Sequence, residues 1–294
     1  MLETKRKRIL FIGDMHVGST FGVWKPDYKT KQGITFNING MQSSLWEYWQ
    51  FMCQELKEDP PLYAILMGDL VDGVQRSETG RTCLTTDLDD QANCAIELLR
   101  MVPLQKKRYF TVVGTSYHEA QYNQSHFQIC QELNNNDGNF WLNTMGYVIE
   151  GDYIINVSHG DTAAFVYPET QMARQRNFML AAAELKKIDK PCDLISRGHL
   201  HSYNSNEVSG FRLKTFPGLQ APAVTSIKTL ICPAWQGQTD FMQRKEPFKL
   251  IPDIGYVTIS IDEHGVHVKE RIFEHLGIRT VTREPDKIWE KNNV

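Results

Sequence analysis

The 294-residue sequence lacks most of the features that would place it in a special class. Its six cysteines, Cys53, Cys83, Cys94, Cys130, Cys192 and Cys232, are scattered without a C-x-x-C pair, which excludes a zinc ribbon and a disulfide framework. Reduced, mostly buried thiols are expected. No apolar run approaches the ~20 residues of a membrane-spanning helix, and the first residues are charged where a secretory leader would be apolar. A cytoplasmic protein without membrane contact is expected. There is no excess of basic charge: the formal net charge is -3, so no general field for a phosphate backbone exists. The one dense basic run, Lys5 to Arg8, leads directly into Ile9 to Ile12 and reads as the solvated start of a strand.

Fixed-period repeats and low-complexity linkers are also missing. What remains is ordinary for a globular chain: 41% hydrophobic and 23% charged residues, with a mean hydropathy of -0.40. One elaborated domain over 1–294 is expected, with a motif-bearing core at about 8–202, C-terminal strands and loops at about 203–275, and a tail at 276–294.

Short β-rich runs alternate with helical patterns in the first half, the signature of α/β layering. Strands are predicted at Arg8 to Gly13, Tyr63 to Met67, Arg108 to Val113 and Leu194 to Arg197, and a hairpin at Tyr147 to Ile149 and Tyr153 to Ser158 turning at Gly151 and Asp152. Helices are predicted at Ser44 to Leu56, Gln91 to Met101, Ser125 to Leu133 and Gln171 to Lys187. Further strands are placed near Thr229 to Cys232, Gly255 to Ile261 and Val266 to Phe273. The stretches Ser205 to Thr225 and Gln236 to Pro252 read as long functional loops.

Chemistry concentrates where strands end. GDMH closes the first strand, and Asp14 and His16, two residues apart, can face one ion from an extended turn. GDLVD closes the second. Gly68 permits a sharp turn and Asp69 can reach two cations, although an Asp there equally caps a helix. GTSYHE closes the third with His118; SHGD supplies His159 after an apolar strand; GHLH supplies His199 and His201. Each motif alone also reads as a polar loop. Five successive strand ends bearing hard or borderline ligands do not, and five of the nine histidines fall in them; His126, His264, His267 and His275 do not and read as structural or exposed.

The series GDMH, GDLVD, GTSYHE, SHGD and GHLH resembles the calcineurin-like metallophosphoesterase superfamily, over about Ile9 to His201. The stretch CPAWQGQTDF from Cys232 and the later strands are similar to phosphoesterases of that superfamily carried by bacteriophages, which would place the protein in a host cytoplasm. The resemblance implies an α/β fold, a four-layer α/β/β/α sandwich, and a dinuclear centre. In it Asp14, His16 and His201 would hold one divalent ion, Asp69 would bridge, and His159 with His199 would hold the other. Asp72 would orient His118, which would act as general acid or as a cation toward the transition state. Mixed Asp/His ligation suits Mn2+, the first choice, or Fe, Zn or Ni, with Mg2+ also compatible; calcium would prefer all-oxygen ligands. The sequence departs from the family at the third motif, usually Gly-Asn-His. Here GTSYH has no Asn, so the hydroxyl of Thr115 or Ser116, a water, or a more distant group takes that place, and two extra residues shift His118.

The implied activity is hydrolysis of a phosphoester substrate by metal-activated water, foremost as a phosphodiesterase on DNA, RNA or nucleotides. A phosphomonoesterase or protein phosphatase is the alternative, but Gly73 and Val74 stand where Ser/Thr phosphatases carry Arg-Gly. A noncatalytic scaffold or binding protein is the alternative from another class. Tyr117, Tyr122, Phe165, Tyr167, Tyr203, Trp235 and Phe241 are candidates for stacking on a base, and Arg174, Arg176 and Arg197 for gripping phosphate.

Overall fold

The computed structural model describes residues 7–74, 80–118, 124–160, 168–212, 224–239, 251–262, 265–274 and 277–281. In chain order its elements are β1 (Lys7–Ile12), α1 (Gly40–Glu58), β2 (Tyr63–Leu66), α2 (Leu88–Arg100), β3 (Tyr109–Val112), α3 (Gln124–Leu133), β4 (Trp141–Asn143), β5 (Met145–Glu150) and β6 (Tyr153–Ser158). There follow α4 (Pro168–Glu184), β7 (Leu194–Arg197), β8 (Asn204–Arg212), β9 (Val224–Ile231), β10 (Ile254–Asp262), β11 (Gly265–Glu274) and β12 (Gly277–Val281).

Two sheets form, a seven-stranded one in the order β12-β11-β10-β1-β2-β3-β4 and a five-stranded one in the order β5-β6-β7-β9-β8. The strands β1, β2, β3 and β4 are parallel, and so are β6, β7 and β9. Strand alternation sorts the apolar residues into layers. On β1 and β2, Leu10, Ile12, Ala64 and Leu66 pack against Leu45, Trp49 and Met52 of α1, Ala95 and Leu99 of α2, and Ile129 of α3. The opposite faces, Ile9, Phe11, Tyr63 and Ile65, meet Ile155, Val157, Leu194 and Leu230 of the second sheet. On its far side, Ile195, Ile227 and Ile231 pack under Met172 and Leu180 of α4. The result is helices, sheet, sheet, helix: the expected α/β/β/α layering.

Local signals set the element ends. Asn39 caps α1 in a reciprocal box with Gln42, and Asp87 caps α2 through the backbone N–H groups of Asp89 and Asp90. The predicted helix at Gln171 to Lys187 instead runs Pro168–Glu184, with Pro at its start, where a missing N–H costs nothing. The expectation of a loop over Ser205 to Thr225 is corrected: β8 lies there, antiparallel to β9, and β9 itself begins at Val224. An edge strand needs hydrogen bonds on one side only, so NSNEVSGFR pairs despite its polarity, with a register shift between Val208 and Phe211 around the Ser-Gly pair. Residues 213–223, and 240–250 of the other expected loop, lie outside the described residues. The strands β4 and β12 had no expectation in the sequence; β12 falls in the expected tail.

Candidate metal centre

Parallel order places the C-terminal ends of β1, β2, β3, β6 and β7 along one rim of the two stacked sheets, where α/β proteins bind ligands. The β1 and β2 ends are joined beyond the strands: the N–H groups of Asp14, His16 and Val17 donate to the carbonyls of Gly68, Asp69 and Leu70 at 3.0, 3.0 and 3.1 Å. From the helix side, Gln91 of α2 accepts from Gly73 N at 2.9 Å and donates to Gly73 O at 3.1 Å. The Trp235 N–H donates to the Asp14 carbonyl at 2.9 Å.

Left-handed backbone is concentrated where ligands leave the strands. Nine described non-glycine residues have positive φ, and five of them are Asp14 (51°), His16 (44°), Asp69 (44°), His199 (69°) and His201 (53°). The left-handed region costs an L-residue about 1–2 kcal/mol, so the surrounding hydrogen bonds must over-determine these turns. Glycines make the close approaches possible: a Cβ on Gly114 would lie 1.9 Å from Asp69 Oδ1.

Two sets of side chains meet here, Asp14 with His16 and His201, and Asp69 with His159 and His199, and a third, His16 with Asp69 and His118, overlaps both; within each, one ligand atom per residue lies within 4.8 Å of the others. His201 Nε2 stands 3.1 Å from Asp14 Oδ1 and 3.2 Å from His16 Nε2. His159 Nε2 is 3.0 Å from Asp69 Oδ2 and 3.9 Å from Asp14 Oδ1, which brings the two sets together. Asp14, His16, Asp69 and His159 are all buried, whereas His199 is half-buried.

These atoms fit a bound cation. The His159 Nδ1–H donates to the Met67 carbonyl at 2.7 Å, which orients the ring as a metal-bound imidazole is usually oriented. Its Nε2 then faces Asp69 without the alignment of a hydrogen bond and is a buried polar atom lacking such a partner. A positive charge between the two satisfies both. The electrostatics agree: burial would raise the Asp69 carboxyl, but His159, then His118, hold it well below the usual carboxylate range. Burial would lower His159, yet Asp69 and Asp14 push it up to about 9. Without a metal, the carboxylates retain protons on neighbouring imidazoles, and those are the protons that metal binding displaces.

Asp72 is fully buried beside His16 and His118. Its Oδ1 lies 3.3 Å from His16 Nδ1 and 3.4 Å from His118 Nδ1, and the same His118 nitrogen is 3.0 Å from the Asp72 carbonyl. Burial works against the His118 imidazolium, but Asp69 and Asp72 raise it to about 9. The thiol of Cys83, absent from the sequence expectations, points at Asp72 Oδ2 from 3.7 Å.

Thr115 lies beside Asp69. Its backbone N–H donates to Asp69 Oδ1 at 2.7 Å, and its hydroxyl stands 3.3 and 3.2 Å from the two carboxylate oxygens, so in this arrangement the hydroxyl is directed to the carboxylate. Two of the expected substrate contacts are corrected. Trp235 is fully buried and packs edge-on against Trp49 at 4.7 Å. Arg197 is buried, with its guanidinium donating to Ser196 O and Asn156 Oδ1 at 2.6 and 2.7 Å. Tyr203 is partly buried against the inter-sheet core, and Arg174 lies over Phe178 on α4. Tyr117 is 48% exposed beside His118, its ring 5.2 Å away. Tyr122, Phe165, Tyr167 and Phe241 lie outside the described residues.

No protein-family model and no curated protein matches the chain. Among solved structures it is similar to Vps29 of Entamoeba histolytica in complex with Zn2+, at 13% identity over 93% of this chain and 97% of that one, with a TM-score of 0.45. It is also similar to Vps29 of Cryptosporidium parvum, at 13% identity over 94% and 96% of the two chains with a TM-score of 0.45. A third is the phosphoesterase Yfce of E. coli, at 11% identity over 94% and 100% with a TM-score of 0.41.

Proposed function

We propose that this chain is a metal-dependent phosphoester hydrolase of the metallophosphoesterase type, acting on phosphodiesters of nucleic acids or nucleotides. The observation that carries this reading is the meeting of two Asp/His sets, buried but for His199, at a His159–Asp69 contact of 3.0 Å that a shared cation would satisfy. Asp14, His16 and His201 would hold one ion, His159 and His199 a second, and Asp69 both. Two divalent ions, Mn2+ first among them, would neutralise phosphate oxygens and supply hydroxide at neutral pH.

The chain's own groups complete the chemistry. With Nδ1 engaged by Asp72, His118 has Nε2 as the nitrogen to protonate the leaving oxygen, and its position at the more open side of the centre suits that task. Thr115 fixes the Asp69 carboxylate. The exposed Tyr117 offers a base a stacking surface beside His118. Arg197 is committed to neutral oxygens inside the fold, so the described site residues include no lysine or arginine.

The test is turnover by metal-reconstituted protein of bis-p-nitrophenyl phosphate, p-nitrophenyl phosphate, and labelled single- and double-stranded DNA and RNA, beside Asp69→Asn. Diester cleavage with Mn2+ that falls to background in the variant is expected. Equal background from both proteins would defeat the enzyme reading in favour of a scaffold.

A further inference from the structure

We infer that His126 is a positioning residue for Asp69: from α3 it holds the backbone of the next residue, Leu70, and so fixes the turn that presents the carboxylate to the centre. The inference rests on the metal-dependent reading above. His126 belongs to none of the strand-end motifs and is 0% exposed. Its Nε2 lies 2.9 Å from the Leu70 backbone nitrogen. A backbone N–H can only donate, so Nε2 carries a lone pair and the ring is neutral.

The turn explains why an acceptor is needed there. The carbonyls of Gly68, Asp69 and Leu70 are already taken by the N–H groups that follow β1. Gly68 at φ 91° and Asp69 at φ 44° swing the chain out of the strand, and the Leu70 N–H is directed into the protein toward α3, where it meets His126 Nε2. A buried N–H without an acceptor is destabilising on a scale comparable to the cost of holding Asp69 in the left-handed region. The helix carrying the acceptor is itself anchored. Ile129 and Leu133 sit in the helix-side core, and just beyond the helix Asn134 accepts from Tyr109 N and donates to Tyr109 O on β3, both at 2.9 Å. His126 thus ties the bridging position to a rigid element outside the ligand set.

Three substitutions separate this role from mere packing. His126→Gln keeps an acceptor near the Nε2 position, His126→Leu fills the volume without one, and His126→Asn keeps polarity but falls short of Leu70. The readouts are Mn2+ affinity by calorimetric titration and amide hydrogen exchange at Leu70. We expect the Gln variant to stay within about threefold of wild type, and the Leu and Asn variants to bind Mn2+ some 10–100-fold more weakly, as losses of supporting hydrogen bonds at metal sites do. Leu70 exchange should quicken in those two alone. If Leu fails to fold, Asn against Gln carries the same contrast. Affinity unchanged in Asn and Leu, or lost equally in Gln, would overturn the inference. A wild-type protein that binds no Mn2+ would overturn the metal reading itself, a result distinguishable from either.

Discussion

The two halves of the candidate centre are built to different standards of enclosure. In the Asp14, His16 and His201 half all three residues are buried, Asp72 backs His16, and the His199 N–H donates to both Asp14 oxygens at 3.1 and 3.2 Å. In the Asp69, His159 and His199 half, Asp69 and His159 are equally buried and tied, but the His199 ring is half-buried, and among the described residues its ring contact is the edge-on packing against His159 at 5.3 Å. The enclosed half is preorganised. The open half lies nearer the surface, beside the strand end that carries Thr115 and His118. The difference teaches that an ion in the first half should bind on the protein's terms, and one in the second should depend more on what approaches from outside.

The largest test of that division concerns His118, the proposed proton donor, which belongs to neither half. His118→Ala should lower diester turnover by about 10²–10⁴-fold, the usual worth of a positioned proton donor, while the metal content measured by elemental analysis stays at the wild-type value. His118 lies close enough to His16 and Asp69 to join them around an ion, so the opposite outcome has a clear meaning. Loss of an ion in His118→Ala would make it a ligand and move it into the comparison as a member of the first half.

The next test breaks the halves apart. With about 10–16 kcal/mol spread over four ligands of a structural zinc ion, one ligand is worth about 3 kcal/mol, roughly 10²-fold in affinity. Equilibrium dialysis with Mn2+ should show a tight and a weak event in the wild-type protein. His201→Ala should weaken the tight event by about that factor, and His199→Ala should remove the weak event while sparing the tight one. The reverse assignment would show that enclosure does not set affinity here.

How much of this was legible beforehand depends on where a residue's role is decided. Asp14, His16, Asp69, His159, His199 and His201 announce themselves because each follows a short apolar run and a glycine or polar turn, a local pattern, and parallel strand order then brings them to one rim. The layers were legible for the same reason, since alternating residues such as Ile9 and Leu10 declare two buried faces. Roles decided by tertiary packing were not legible. Nothing local marks Gln91 or His126 as backbone acceptors, because on a helix each is one more polar residue at a core-facing position. Trp235 illustrates the converse: a large aromatic near a motif reads as a substrate platform, yet its ring packs in the core and only its backbone N–H serves the site. The strand β8 escaped because its pairing with β9 satisfies its backbone whatever its side chains are.

The smallest expected effect bears on the weaker half. Thr115→Val keeps the shape of the side chain and the backbone N–H to Asp69 Oδ1 at 2.7 Å, and removes only the hydroxyl 3.2–3.3 Å from the carboxylate. If Thr115 serves by orienting Asp69, both ions feel the loss through their shared ligand. Calorimetric titration with Mn2+ should then show about a tenfold decrease in both events with the stoichiometry unchanged, in the range seen when outer-shell partners are lost. If instead the hydroxyl takes the place of the missing Asn on the second ion, the weak event alone should disappear and the tight one remain as it was. The two patterns cannot be confused, because one acts through the residue common to both halves and the other on a single half.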